Sequence, residues 1–216
     1  MNVAGSLQVK VVAGFESVSR IWDAVRCCWM ARIQPGEFYI TTAMESITTV
    51  LGSCIAVCLR DPVLGIGGMN HFMLPEDTTR GRSAWLEEAG LATRYGSFAM
   101  ESLVNGLLKL GARRERLEAK VFGGGHVLRL ALEVGERNIE FARRWLRMEG
   151  FSVVAEDVGG ELPRRVVYTP VTGKAQVRLL RPAEGSAIAT REQHHLQALR
   201  NSPATHDVEL FQEIPR

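Results

Sequence analysis

Two residues in this chain have the type and setting to attack a carbonyl carbon. Cys54 closes the run Thr48-Thr-Val-Leu-Gly-Ser-Cys54, and His71 follows seventeen residues later in Gly67-Gly-Met-Asn-His-Phe-Met-Leu-Pro75. A thiol becomes a strong nucleophile once a base has taken its proton, and an imidazole is suited to that task. If the fold brings the two together, the chemistry is acyl transfer at an amide or ester. Gly52 permits unusual backbone dihedrals just before the cysteine. Ser53 and Cys54 can then turn their backbone N–H groups toward a developing oxyanion.

The surroundings separate these residues from their look-alikes. A buried cysteine is ordinarily an inert small hydrophobe, and Cys58, inside the apolar run Ile55-Ala-Val-Cys-Leu59, is read that way. His194, His195 and His206 fall in a polar tail and His126 follows a glycine run, which leaves His71 as the candidate base. An imidazole also needs a group to fix its tautomer. Thr48 lies six residues before Cys54, on the same face if the segment is extended. Asn70 is the alternative, although as the immediate neighbour of His71 it should point to the opposite face. Phe122-Gly123-Gly-Gly125 lacks the spacing of a phosphate loop and reads as close backbone approach at the rim of the site.

Composition narrows the class. The 216 residues carry 26 basic and 24 acidic side chains, a net charge of +2, so no strong field favours nucleic acid or an anionic membrane. The four cysteines, Cys27, Cys28, Cys54 and Cys58, match no zinc spacing, and no metal or other cofactor is expected. Cys54 and Cys58 would stand about 13 Å apart on one face of a strand, at roughly 3.3 Å per residue, too far for a disulfide. No apolar run approaches a membrane span and no export signal opens the chain. The expectation is a reduced, cytoplasmic protein.

These residues need elements to position them. Phe38–Thr42, Ser46–Leu51, Ile55–Leu59, Met69–Leu74, Leu117–Phe122 and Phe151–Val158 read as strands. Arg165–Val171 and Ala175–Leu180 form a hairpin around Thr172-Gly173. Helices are expected over Tyr95–Leu110 and Glu136–Glu149, each ended by a glycine. Residues 76–93 read as a polar loop. Residues 1–30, with a weakly amphipathic helical pattern over Arg20–Trp29, read as a non-catalytic extension. Residues 31–181 are the expected domain, and 182–216 a polar tail with one short helix around Arg191–Arg200.

Six ordered motifs then carry a resemblance. Thr48-x-x-Leu-Gly-Ser-Cys54, Gly67-Gly-Met-Asn-His71-Phe-Met-Leu-Pro75, Tyr95-Gly-x-x-Ala-Met-Glu, Lys120-Val-Phe-Gly-Gly-Gly125, Gly135-Glu-Arg-Asn138 and Glu156-Asp-Val-Gly-Gly160 resemble the CheD family, the chemoreceptor glutamine deamidases of bacterial chemotaxis. The resemblance implies an α+β fold, a layered β-sandwich core flanked by helices and similar to the cytotoxic necrotizing factor deamidases. It implies hydrolysis of glutamine side chains to glutamate on methyl-accepting receptors, within their helical cytoplasmic region, with release of ammonia. Cys54 would be the nucleophile, His71 the base and then acid, and Thr48 the group orienting the histidine. Gly52, Ser53, Asn70, Phe122 and Gly123 are candidates for oxyanion binding or substrate positioning. A CheC-type phosphatase is a further partner that the resemblance implies for some members. Two rivals stand beside this reading: another cysteine hydrolase or acyl transferase, and a non-catalytic regulator of a chemotaxis phosphatase.

Overall fold

The computed structural model describes residues 10–74, 84–127, 132–181, 188, 190–195 and 197–198. Its strands are β1 (Ser19–Asp23), β2 (Cys28–Arg32), β3 (Phe38–Thr41), β4 (Glu45–Leu51), β5 (Ile55–Asp61), β6 (Ile66–Asn70), β7 (Glu118–Gly123), β8 (Ser152–Val158), β9 (Arg164–Thr169) and β10 (Lys174–Leu179). The helices are α1 (Ala84–Lys109) and α2 (Leu132–Met148). One sheet has the order β1-β2-β4-β9-β10 and the other β3-β6-β5-β7-β8. The fold is therefore α+β, with both sheets mixed and both helices laid against the second sheet.

The apolar sequence of β5 explains the layering. Successive strand residues face opposite ways, so Ile55, Val57 and Leu59 pack with Met100, Leu103 and Leu146 of the helices. Ala56 and Cys58 face the other way, into a second core shared with Ile47, Leu51, Val166 and Tyr168 of the first sheet. A strand with both faces covered reads as a continuous apolar run, which is how Ile55–Leu59 reads. All four cysteines are free thiols. No helix of the described residues is long and apolar enough to cross a membrane.

Three expectations change. Residues 20–29 form a hairpin, not a helix: Trp22 pairs with Trp29 edge to face at 5.7 Å, and Cys27 turns the chain with a φ of 50°. From Ser19 the supposed extension is part of the first sheet, β2 running parallel to β4. The buried carboxylate of Glu45 fastens it there, accepting from Arg20 Nε and Nη2, Tyr39 and Thr41. The loop expected at 76–93 is helical from Ala84 onward; its earlier part lies outside the described residues. The hairpin of β9 and β10 is where it was expected, turning at Gly173.

Candidate active site

Cys54 sits where the chain passes from one sheet to the other. β4 ends at Leu51, the backbone bends through Gly52 and Ser53, and β5 begins at Ile55. Just beyond β6, Phe72 and Ile55 exchange backbone hydrogen bonds of 2.9 Å in both directions. Their antiparallel bridge sets Ala56 opposite His71 and makes Cys54 its diagonal neighbour on the same face. The Cys54 sulfur, a His71 ring nitrogen and a carboxylate oxygen of Glu192 all lie within 4.8 Å of one another. All three residues are buried.

Hydrogen-bond accounting assigns the tautomer of His71. Its Nδ1 is 2.8 Å from the Thr49 hydroxyl, and that hydroxyl also lies 2.9 Å from the Ile33 carbonyl. A hydroxyl has one proton to give, and a carbonyl can only accept. Thr49 therefore donates to Ile33 and accepts from Nδ1–H. This leaves Nε2 with its lone pair, buried and without a partner among the described residues, which is the form a base requires.

The contact expected of Thr48 is made by its neighbour. The Thr48 hydroxyl donates to the Val166 carbonyl of β9 at 2.8 Å and not to the ring. The six-residue spacing to Cys54 assumed one continuous strand. The bend at Gly52 and Ser53 breaks that parity, so the odd-numbered Thr49 shares a side with His71. Asn70 is also placed elsewhere: it accepts from Val57 N and donates to Ala99 O, tying the sheet to α1.

Every carbonyl of the cysteine loop is held from behind. Gly125 N donates to Gly52 O and Gly124 N to Cys54 O, both at 2.7 Å, while Asn138 Nδ2 donates to Ser53 O at 2.8 Å. Asn138 is fixed in turn by accepting from Leu74 N at 2.9 Å. With their carbonyls engaged on one side, the three residues present their N–H groups to the other. Gly123 has a φ of 109°, and a Cβ there would run into the Cys54 carbonyl, so the glycine run backs the loop closely. Phe122 is core, packed between the sheets, and forms no rim.

The N–H groups are occupied by a side chain of the tail. The Glu192 carboxylate accepts from Gly52 N (2.7 Å), Ser53 N (2.8 Å), Ser53 Oγ (2.7 Å) and Cys54 N (3.3 Å). Gly52 is a glycine for reasons of space: its φ is not in the left-handed region, but a Cβ would come within 2.6 Å of a Glu192 oxygen. Cys54, His71 and Glu192 also make a donor set of the kind that holds a metal, but both Glu192 oxygens are filled by N–H and O–H donors. Glu156 pairs with Arg143 on the surface, and Asp157 pairs with the buried guanidinium of Arg164. Thr49, Asn138 and Glu192 were not singled out as site residues from the sequence. Asn138 closes the Gly135-Glu-Arg-Asn138 motif, and Glu192 is the one acid on the Ile188, Glu192, His195 stripe.

Electrostatics here follow from dryness. Burial pushes the Cys54 thiol well up, and the adjacent Glu192 charge raises it further. Cys58 is raised by burial too. Tyr95 of α1 is raised by burial and then by its nearness to Cys54. His71 is lowered to about 3, first by burial, then by the neighbouring His195 and Arg191. Its folded value lies below its unfolded value of 6.5, so between the two the unfolded chain binds the extra proton. The stability this contributes is complete above pH 6.5 and is lost as pH falls toward 3. Wild-type protein should lose about 2 kcal/mol of unfolding free energy between pH 7 and pH 5 through this group, at ~1.4 kcal/mol per pH unit. Denaturant titrations of wild type and His71→Gln at both pH values check this. Equal losses in the two proteins would show that His71 carries none of it.

A buried thiol, an imidazole whose Nε2 has no partner among the described residues, and three backbone N–H groups at the junction of two sheets are the parts that thiol–imidazole acyl transfer would require. Residues 73–179 match the family model described as CheD chemotactic sensory transduction. The chain is 46% identical over 197 residues to the probable chemoreceptor glutamine deamidase CheD of Hahella chejuensis, covering 91% of this chain and 92% of that one. It is 45% identical over 201 residues to the protein of the same name from Halorhodospira halophila, covering 92% of each. It is 50% identical over 184 residues to the probable chemoreceptor glutamine deamidase CheD 1 of Shewanella oneidensis, covering 84% and 87%. The chain belongs to the CheD family.

Proposed function

We propose that this protein hydrolyses glutamine side chains of chemotaxis receptors to glutamate, with Cys54 as nucleophile and His71 as proton carrier. The observation that carries the reading is the cradle of Gly52, Ser53 and Cys54 N–H groups, which holds the carboxylate oxygens of a glutamate side chain, the product's own side chain, beside the thiol. His71 Nε2 takes the thiol proton as sulfur attacks Cδ of the glutamine. The carboxamide oxygen becomes an oxyanion held by those donors. His71 then returns the proton to the departing nitrogen, and ammonia leaves. Water, deprotonated by His71, opens the thioester to glutamate and restores the thiol. Thr49 is the residue that keeps Nδ1 protonated and Nε2 free. The layered fold is of the kind used by the cytotoxic necrotizing factor deamidases. The substrate glutamine lies on the helical cytoplasmic part of a receptor, because a side chain projecting from a helix reaches the cradle without unfolding its backbone.

The test is mass spectrometry of a receptor cytoplasmic fragment incubated with wild-type or Cys54→Ala protein, with free ammonia measured in parallel. Wild type should release ammonia and replace NH2 by OH at particular glutamines, and Cys54→Ala should do neither. Peptide cleavage, or incorporation of an added amine, would sink the reading in favour of another acyl-transfer reaction.

A further inference from the structure

The tail does more than lie on the surface. Residues 190–195 are helical, and one face of this segment is inserted: Ile188, Glu192 and His195, spaced as neighbours on a helix, are buried or half-buried, while Arg191, Gln193 and His194 are exposed. Glu192 is 2% exposed and its carboxylate has four donors, three of them backbone N–H groups of the cysteine loop. His195 lies against Gly36 beside Tyr95. A cavity reaching His71 from the first sheet is lined by Ile21, Thr48, Thr49 and Arg165 and, from the tail, by Arg191 and Glu192.

We propose that this segment is a built-in product mimic: it occupies the groove that takes the substrate helix and seats Glu192 where a receptor's newly formed glutamate would lie. The inference rests on the deamidase reading and adds to it a recognition mode and a means of restraint. A glutamate is the right occupant for a lasting plug, because its carboxylate offers Cys54 no ammonia to expel and the site cannot consume it. Burial first, and then the charge of this carboxylate, push the thiol pKa up and so favour its protonated form. A receptor helix competes by offering a carboxamide to the same donors, with an apolar residue four positions before the glutamine in the place of Ile188.

Three measurements on the full chain test this. Glu192→Ala should increase the rate of Cys54 alkylation by iodoacetamide, followed by peptide mapping, at least about tenfold. It should lower the apparent KM for a receptor fragment by a similar factor, as expected when a closed state occupies about nine-tenths of the molecules. Equal alkylation rates in wild type and Glu192→Ala would overturn the plug. Glu192→Gln is the sharper and isosteric variant, readable even if the alanine disturbs folding. The carboxamide it places at position 192 should be attacked by the Cys54 sulfur, losing ammonia, and then hydrolysed by one water to glutamate, with no oxidant or reductant. Mass spectrometry should find glutamate, or the intermediate thioester, at position 192, and an unchanged carboxamide when Cys54→Ala is added. Persistence of that carboxamide in a preparation that deamidates the receptor fragment would overturn the mimicry. Accelerated alkylation with no conversion of receptor or of position 192 by any form would uphold the plug and overturn the deamidase reading beneath it.

Discussion

A His71→Gln variant is expected to lose about 10²–10⁴-fold in kcat/KM for receptor deamidation, the range a positioned imidazole supplies as acid and base. The more informative experiment compares the two adjacent threonines. Thr49→Val removes the acceptor that holds Nδ1–H and frees the ring to rotate or to move its proton to Nε2, which can then no longer take the thiol proton. A loss of about 10–100-fold in kcat is expected, by analogy with partners that orient metal-bound imidazoles. Thr49→Ser keeps the hydroxyl and should restore most of it. Thr48→Val breaks only the bond to the Val166 carbonyl, costing about 1 kcal/mol of stability with little change in kcat. Kinetics of the three threonine variants decide the matter. A large kcat loss in Thr48→Val with none in Thr49→Val would reverse the assignment.

That pair of threonines also shows where sequence reasoning reaches its limit. Cys54 and His71 were legible because a glycine-flanked thiol and a glycine-flanked imidazole are rare against the background of core residues. The strands and helices that carry them were legible from periodicity, and β5 from its unbroken apolar run. Which threonine faces the ring depends on where β4 stops, and a strand end that slips by one residue exchanges the faces. The bend at Gly52 and Ser53 sets that parity and has no periodic signature. The N-terminal hairpin was hidden differently. Arg20–Trp29 has helix-like spacing, but the Trp22–Trp29 pair and the Arg20–Glu45 contact across the sheet stabilise strands instead. Tertiary packing outweighed local preference there. Glu192 was hidden because one acid in a charged tail looks solvated until the fold shows four donors around it.

Gly52→Ala should separate the cradle from the scaffold more cleanly than any change to Cys54 or His71. The three atoms nearest an added Cβ all belong to the Glu192 carboxylate, the closest at 2.6 Å. The φ of Gly52 is outside the left-handed region, so alanine brings no left-handed backbone strain, and its cost in stability is the release of the tail carboxylate from its donors. The methyl group fills the place of the oxygen that the N–H groups receive, whether that oxygen comes from the tail or from a substrate carboxamide. Deamidation should fall about 10²–10³-fold, the scale of losing one well-placed oxyanion donor, because the carboxamide can no longer seat against the loop. The tail carboxylate is expelled by the same methyl, so Cys54 should become easier to alkylate even as turnover collapses. Loss of activity through misfolding would expose Cys58 to alkylation as well, whereas here Cys54 alone should gain reactivity while Cys58 stays protected in a cooperatively folded protein. If Gly52→Ala instead deamidates receptor at the wild-type rate, the oxyanion is stabilised somewhere other than the Gly52–Cys54 loop.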